Sequence, residues 1–366
     1  MIAHSHYTFD AAGLDAARPP GISALMRIRN GADFLRLVIE SHLPFYDEII
    51  ACYNDCSDDT ESILLELAAE HPGRVRPLHY LPKVHPPYSD LHRQTPTHSP
   101  HGLANYYNYA LSHARYSIAV KLDDDHLALP QALGDAVRRI REDASRGLRK
   151  LYTFSGVNLV RCSDAGVAVY GNQPLVGTGD IMYFPVCRQI HWSQGRDYEH
   201  FGFGGLRLQK EYLGLLYFHL KHLKSCHGFG NLEPQLRRRT DSEFVRTMSR
   251  VGIAEFCSST YHRRLRATHN PIEYWLRTHP VVQGLIFAMF GRNAPLRISR
   301  LQRLSTDVAA IDWERDLFQP LKLHAWAATG PAKENSRWSA SWGSASHAPR
   351  GAREDSSAIR VQGAAN

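Results

Sequence analysis

The sequence has 366 residues, 43% of them hydrophobic, and a formal net charge of +7. This composition excludes a chain that is disordered throughout, and the length suits one large domain with an appendage. Lysine and arginine are scattered apart from short clusters at residues 237–239 and 263–264. The charge therefore fits an anionic small molecule or an acidic membrane surface at least as well as nucleic acid, and we expect no nucleic-acid partner.

Cysteine usage and hydropathy favour a cytoplasmic protein. The six cysteines show no Cys-x-x-Cys spacing, which favours free thiols in a reducing compartment. The first 20 residues lack the basic start and apolar stretch of a secretory signal. The most apolar later stretch, residues 281–290, has about half of the ~20 residues needed to cross a bilayer. We expect no membrane-spanning segment.

After an N-terminal extension of residues 1–20, the sequence alternates between predicted strands and helices. Strands are expected at residues 22–28, 48–53 and 75–80. Asn30 is expected to cap the first helix, and Asp59 or Thr60 the second. Such alternation predicts an α/β sheet with crossover connections.

Residues 82–101 have no period and predict a long surface loop, which could act as a lid. A helix at residues 103–114 and a strand at 117–122 follow, and a helix is expected from Pro130 to about residue 145. The next expected strands are 151–154, 157–161, 167–170 and 181–184. We predict one domain over residues 21–235, a helical region over 236–328, including a helix at 271–290, and a disordered tail over 329–366.

Three aspartates follow the predicted strand at residues 117–122. In an extended segment, alternate side chains point the same way, so Asp123 and Asp125 can face one crevice while Asp124 faces elsewhere. Ligands bind at the carboxyl ends of strands in such sheets, and paired carboxylates with phosphate oxygens suit Mg²⁺ or Mn²⁺. A solvated turn is the alternative, but three adjacent like charges are tolerated best beside a cation. The run predicts a divalent-metal site.

Three elements together resemble the family 2 glycosyltransferases of the GT-A fold, a group that includes bacterial surface-polysaccharide transferases. They are the first strand with Arg29 and Asn30, the loop Asn-Asp-Cys-Ser-Asp-Asp-Thr at residues 54–60, and Lys-Leu-Asp-Asp-Asp at residues 121–125. The resemblance runs from about residue 22 to 129 and more loosely to 224. It implies a GT-A mixed sheet flanked by helices, with a helical C-terminal appendage.

The resemblance also implies roles by position for the nucleotide and the metal. Arg29, Asn54 and the loop after it would bind the nucleotide, with Asp55 on the base or ribose and Asp58 supporting the loop. Cys56 stands where many relatives have glycine. Asp123 would contact ribose or a metal-bound water, and Asp125 would coordinate the metal that bridges the diphosphate.

Later residues supply the remaining candidates. An inverting transfer needs a carboxylate that removes the acceptor proton, and the segment at residues 195–200 offers Asp197 and Glu199, although it lacks the family's usual Glu-Asp pair. Asp180 could hold substrate hydroxyls or stabilise a turn. Late histidines often complete the metal shell or grip the diphosphate in GT-A enzymes, so His219 is a candidate metal ligand and His222 a candidate substrate contact.

The expected function is transfer of a sugar from a nucleotide-sugar donor to a glycan or lipid-linked glycan acceptor, with inversion and a divalent cation (Mn²⁺ or Mg²⁺). A lipid-linked acceptor would add a peripheral contact with the inner membrane face. Two alternatives stay open at this point. One is a nucleotidyltransferase, which shares the crevice and the carboxylates, and the other is a non-catalytic scaffold on a degenerate transferase fold.

Overall fold

The computed structural model describes residues 7–162, 165–177, 182–268 and 297–325. Its strands are β1 Ile22–Ile28, β2 Glu48–Tyr53, β3 Val75–His79, β4 Ile118–Lys121, β5 His126–Ala128, β6 Lys150–Arg161, β7 Gly166–Tyr170, β8 Leu175–Val176, β9 Met182–Pro185, β10 His191–Gln194, β11 Glu199–Gly202, β12 Gln209–His222, β13 Arg250–Val251 and β14 His324–Ala325.

The α-helices lie between these strands and along the C-terminal region. They are α1 Leu35–His42, α2 Thr60–Glu70, α3 Asp90–Gln94, α4 Leu103–Ser112, α5 Pro130–Ser145, α6 Pro234–Thr247, α7 Ile253–Phe256, α8 Ser259–Thr268, α9 Arg297–Ala309 and α10 Gln319–Leu321. None of the helices in the described residues is long and apolar enough to span a membrane.

A single mixed sheet organises the molecule, in the order β13-β7-β6-β9-β4-β1-β2-β3. Strands β4, β1, β2 and β3 are parallel, and β9 joins β4 antiparallel. The long β12 pairs parallel with β6 and antiparallel with the short β5. The carboxyl ends of β1, β2 and β4 thus lie at one edge of the sheet, and β12 approaches that edge from the mixed half.

Both faces of β1 are buried, as expected for a central parallel strand. Ile22, Ala24, Met26 and Ile28 pack in the cluster that contains α1 and α5. Leu25 points to the other face, where it joins residues of α4. Because the strand is covered on both sides, only its carboxyl end is available to a ligand.

The predicted mixed α/β fold is observed, with local differences that include a short helix, α3, inside the stretch predicted as a loop and two short strands, β13 and β14, in the region predicted to be helical. The two strands expected at residues 151–154 and 157–161 form one continuous strand, β6. Asn30 does not cap a helix: it has φ 54°, its side-chain oxygen accepts a hydrogen bond from Ser57 N at 2.7 Å, and α1 begins only at Leu35. A contact with the neighbouring loop has replaced the local cap.

The C-terminal region is joined to the sheet rather than only packed beside it. Strands β13 and β14 both pair with β7, and α9 packs against β12. The predicted helix at residues 271–290, the tail over 329–366 and the candidate Asp180 lie outside the described residues. The domain boundaries stay predictions.

The buried His42 should make the free energy of unfolding depend on pH, which provides a test of this packing. Its ring is buried in α1 against Tyr46, and its Nδ1 lies 2.9 Å from Val38 O. Burial lowers the pKa of His42 to about 4 despite that hydrogen bond. The unfolded state therefore binds more protons between pH 6.5 and 4, so the free energy of unfolding should fall as pH drops through this window, by about 3 kcal/mol.

The measurement is chemical denaturation at pH 7 and pH 4 for the wild type and His42→Gln. The variant should lose that part of the pH dependence. His98→Gln, at an exposed histidine, should behave like the wild type. Equal pH dependence in His42→Gln and the wild type would show that another group is responsible.

Candidate functional site

Three loops meet at the carboxyl edge of β1, β2 and β4. The loop after β1 bonds to the loop after β2: Gly31 N donates to Thr60 Oγ1 at 2.9 Å, and Ala32 N donates to Asp58 Oδ2 at 3.0 Å. The loop after β4 is equally close, because a Cβ at Gly31 would clash with Asp124. The glycine at position 31 thus lets the loops after β1 and β4 approach closely.

Asp58 organises the loop at residues 54–60. Its Oδ1 accepts from Thr60 N at 3.1 Å and from Thr60 Oγ1 at 2.6 Å, in addition to the bond from Ala32. Neither residue expected to cap α2 does so with its side chain. Asp58 bonds to the backbone there instead, through Thr60 N and Ala32 N.

Arg29 and Asp55 stand at the mouth of the crevice. Arg29 Nη2 donates to Asp55 Oδ2 at 2.8 Å, and both side chains are more than one-third exposed. Asp55 has φ 49°, so the left-handed residue of this loop is Asp55 and not Cys56, where relatives have glycine. Both polar groups are accessible to a ligand.

Asn54 faces the protein interior. Its Nδ2 donates to Tyr80 O at 2.5 Å and to Pro82 O at 2.9 Å, and its Oδ1 accepts from Val84 N at 3.2 Å. The buried amide therefore fixes the start of the long loop at residues 82–101. The structure thus places Asn54 away from the crevice, and a direct nucleotide contact from it has no geometric support.

Two lysines face the aspartate run. Lys121 Nζ lies 3.3 Å from Asp123 Oδ2, and Lys224 Nζ lies 2.9 Å from Asp124 Oδ2 and 3.0 Å from Asp125 Oδ2. Burial alone would raise the pKa of Asp125, but Lys224 above all holds it well below its usual range. At Asp124, burial outweighs Lys224 and, with Asp125 alongside, raises the pKa to about 6.

One ligand atom from each of Asp125, His126 and His219 lies within 4.8 Å of the other two, and all three residues are buried. Asp125 Oδ1 has no hydrogen bond, although His219 Nε2 is 3.5 Å away and His126 Nε2 3.9 Å away. His126 Nε2 also lacks a hydrogen bond. Buried polar atoms normally have partners, so this donor set fits a metal ion.

The register between strands β5, β12 and β6 positions the two histidines of this cluster. His126 of β5, His219 of β12 and Asn158 of β6 lie side by side on three adjacent strands. His219 Nδ1 is 2.9 Å from Asn158 Oδ1, which leaves Nε2 to face Asp125, an arrangement common behind metal-binding histidines. Burial lowers the pKa of His126 to about 3, despite Asp123 nearby. Its imidazole is therefore neutral and able to ligate.

Sequence reasoning missed His126 and Lys224, and it placed Asp123 among the metal ligands. His126 directly follows the aspartates in the sequence, so its imidazole could have been recognised there as a further candidate metal ligand. Asp123 lies outside the cluster of three and approaches His126 Nε2 at 3.7 Å. The structure thus brings Asp125 and His219 together and puts Asp123 beside them with Lys121.

A second group of charges surrounds the Tyr107 ring. Arg27 Cζ lies 4.7 Å and Lys121 Nζ 5.7 Å from the ring centroid. Burial raises the pKa of Tyr107, Arg27 and Lys121 oppose this, and the charges of Glu199 and Asp123 add to the rise. The charges of Glu199 and Asp123 thus both act on the same phenol.

Asp197 has a different environment. Its Oδ1 accepts from Arg93 Nε at 2.9 Å, and its backbone oxygen accepts from Tyr88 N at 2.8 Å. Both partners belong to the loop at residues 82–101. Asp197 therefore ties this loop to the hairpin β10–β11.

His222 packs among aromatic rings instead of facing the carboxylates. Its ring stacks on Phe244 at 4.4 Å, and its Nδ1 lies 2.9 Å from His227 O. The structure thus gives His222 packing contacts, without support for a substrate contact.

Residues 2–138 match the family model of the beta-1,4-N-acetylgalactosaminyltransferases (CgtA). This stretch includes both crevice loops and the aspartate run. The match and the mixed sheet confirm the prediction of a GT-A-type glycosyltransferase over the part of the chain that the match covers. No curated protein matches the chain.

Solved structures similar to this fold include residues 1–349 of TarS from S. aureus, at 12% identity and TM-score 0.35, covering 79% of this chain and 88% of that one. Another is glucosyl-3-phosphoglycerate synthase from Mycobacterium tuberculosis in complex with Mn²⁺, UDP-glucose and phosphoglyceric acid, at 18% identity and TM-score 0.26. It is covered over 46% of its length, against 39% of this chain. At these TM-scores the likeness carries no inference about activity.

Replacing Asp125 with Asn tests the metal cluster directly. The change keeps the volume but removes the negative charge and one oxygen ligand, so Mn²⁺ affinity measured by calorimetry should fall about a hundredfold or more. Asp135→Asn, on the exposed face of α5, is the matched control and should bind Mn²⁺ like the wild type. Retained affinity in Asp125→Asn would place the ion elsewhere.

Proposed function

We propose that this protein transfers a sugar from a nucleoside-diphosphate donor to a hydroxyl of a glycan or lipid-linked glycan acceptor, with inversion and with a divalent cation. The observation that carries the proposal is the convergence of the two acidic loops on the Asp125, His126 and His219 cluster. The family match over residues 2–138 supports the reaction class.

Different residues along the crevice would bind different parts of the donor and the ion. Arg29 and Asp55 lie at its mouth, where their exposed polar groups suit the base and ribose. Asp123 lies deeper, beside Lys121, at a position that suits the ribose or the first phosphate. Asp125, His126 and His219 would hold the ion, which when bound offsets the charge that develops on the diphosphate leaving group.

Glu199 is the carboxylate we assign as the catalytic base. Its charge acts on Tyr107 and Arg27, which lie next to Lys121 and Asp123. Asp197 is bound to Arg93 and holds the loop at residues 82–101. A base must reach the acceptor hydroxyl; the charge of Glu199 acts on two residues of the crevice, whereas Asp197 is already bound to Arg93.

Contacts of the β1 loop weigh against the nucleotidyltransferase alternative. Such an enzyme needs a basic, glycine-rich loop whose cations face the phosphates. Here Arg27 lies over Tyr107 and Arg29 is paired with Asp55. Asp125 Oδ1 and His126 Nε2 are buried without hydrogen bonds and are close enough to each other to hold one ion, which weighs against a scaffold because buried polar atoms normally have partners.

The cell setting follows from the acceptor class. We propose a cytoplasmic enzyme in cell-surface polysaccharide synthesis that contacts the inner membrane face when its acceptor is lipid-linked. The net charge of +7 is consistent with attraction to an acidic surface.

A thermal-shift screen of nucleoside diphosphates, with Mn²⁺ or with EDTA, tests the donor class first. At least one of them should raise the unfolding midpoint more with Mn²⁺ than with EDTA. Release of the matching diphosphate from nucleotide sugars should then require Mn²⁺. Release of pyrophosphate from a nucleoside triphosphate, with no turnover of nucleotide sugars, would support the nucleotidyltransferase instead.

Replacing Glu199 with Gln tests the base assignment. The amide keeps the size and some hydrogen bonding but cannot accept the proton, so donor turnover should fall about a hundredfold or more while donor binding changes little. Asp197→Asn is the matched control, and its donor turnover should fall by less than about tenfold. The assignment fails if Asp197→Asn shows the larger loss in turnover at unchanged donor affinity.

A further inference from the structure

The turn after β12 holds a lysine inside the proposed metal site. Lys224 lies two residues beyond the end of β12, and its side chain is 12% exposed. The turn is tight: Gly228 has φ +76°, and a Cβ there would clash with Lys221. Ser225 N reaches Asp33 Oδ2 at 3.4 Å, which links the turn to the loop after β1. The backbone thus directs Lys224 toward the aspartates.

Lys224 and the metal cluster share one carboxylate. Lys224 Nζ lies 3.0 Å from Asp125 Oδ2, whereas the two imidazoles face Asp125 Oδ1. The ammonium also lies 2.9 Å from Asp124 Oδ2. A divalent cation on Asp125 would therefore sit next to a buried positive charge, and the two repel each other strongly where water is scarce.

We infer that Lys224 is an exchangeable counter-ion: its ammonium balances Asp124 and Asp125 in the ion-free site, leaves Asp125 when a divalent cation binds, and then contacts the diphosphate of the donor. This inference rests on the proposed function for the identity of the donor. It assigns Lys224 as a binding residue whose partner changes during donor loading.

The chemistry of lysine suits this exchange. Its four-carbon stem is flexible and its ammonium is a compact charge without a fixed fork, so it can change partners without a backbone movement. The Lys224 ammonium lies within 3.0 Å of a carboxylate oxygen of both Asp124 and Asp125, so it balances their charge in the ion-free site. A diphosphate entering the crevice supplies the negative charge that the displaced ammonium needs.

The sign of the effect separates an exchangeable counter-ion from an ordinary structural ion pair. A structural lysine holds the carboxylates in place, so its loss would weaken binding of every ligand at the site. A competing lysine opposes the cation, so its loss would strengthen cation binding and weaken diphosphate binding. Opposite effects on the two ligands are thus the diagnostic result.

The experiment measures Mn²⁺ binding to the full chain by calorimetry for the wild type, Lys224→Met and Lys224→Gln. Both variants should bind Mn²⁺ about tenfold more tightly than the wild type. With Mn²⁺ saturating, both should bind inorganic pyrophosphate about tenfold more weakly. Lys210→Met, which makes the same change earlier on β12, should match the wild type in both titrations.

Thermal unfolding in EDTA serves as the second measurement. Without Lys224 the aspartates repel one another, so the unfolding midpoint of both variants should fall in EDTA and recover in Mn²⁺ by more than that of the wild type. If Lys224→Met does not fold, Lys224→Gln, which retains a polar end, carries both titrations. Unchanged or weaker Mn²⁺ binding in the variants overturns the inference.

Failure of the inference can be told apart from failure of the proposed function. If the opposite shifts occur but no nucleotide sugar is turned over, the counter-ion role stands and the reaction class is wrong. If nucleotide sugars are turned over with Mn²⁺ but Lys224→Met binds Mn²⁺ like the wild type, the function stands and Lys224 is structural.

Discussion

Mutual repulsion among Asp123, Asp124 and Asp125 is the constraint around which the crevice is arranged. Three carboxylates at the end of one buried strand cannot all stay charged without nearby cations. Lys121 of β4 forms an ion pair with Asp123. Lys224, in the turn after β12, forms ion pairs with Asp124 and Asp125. Burial, with the charge of Asp125 alongside, still raises the pKa of Asp124 to about 6 despite Lys224.

That constraint explains why β12 matters more than its place in the chain suggests. It runs 14 residues between β5 and β6 and brings His219 opposite His126 on one side and Asn158 on the other. It then delivers Lys224 to the carboxylates. Gly156 leaves room for the Tyr217 ring, which packs on His126 at 3.9 Å. One strand thus places His219 between His126 and Asn158 and leads into the turn that carries Lys224.

The parallel half of the sheet could be predicted from the sequence because its signals are local. The apolar runs of β1 and β2 and the Pro at the start of α5 define elements within a few residues of the observed bounds. The two acidic loops follow from those strands and from the rule that ligands bind at carboxyl ends. Asp125 could be found in the same way.

The rest depends on contacts between distant parts of the chain. Strand β12 pairs with β6 about 60 residues earlier and changes register along the way, and no local pattern specifies such a register. Asn30 has a side chain suited to capping a helix, yet its Oδ1 accepts a hydrogen bond from Ser57 N instead. Asn54 fits a nucleotide loop by position, but its amide fixes residues 80–84. Residue type indicated a polar role in each case, and only tertiary structure could name the partner.

The two candidate bases, Glu199 and Asp197, differ in the cations that surround them. Arg27 and Lys121 lie over the Tyr107 ring, and Tyr107 feels the charges of both Glu199 and Asp123. These cations reduce the repulsion between the two carboxylates, so a carboxylate for the acceptor can exist close to those for the donor. Asp197 has Arg93 as its partner and lies with the outer loop. The proposed base, Glu199, acts by charge on Arg27, a cation that can screen it from the aspartates.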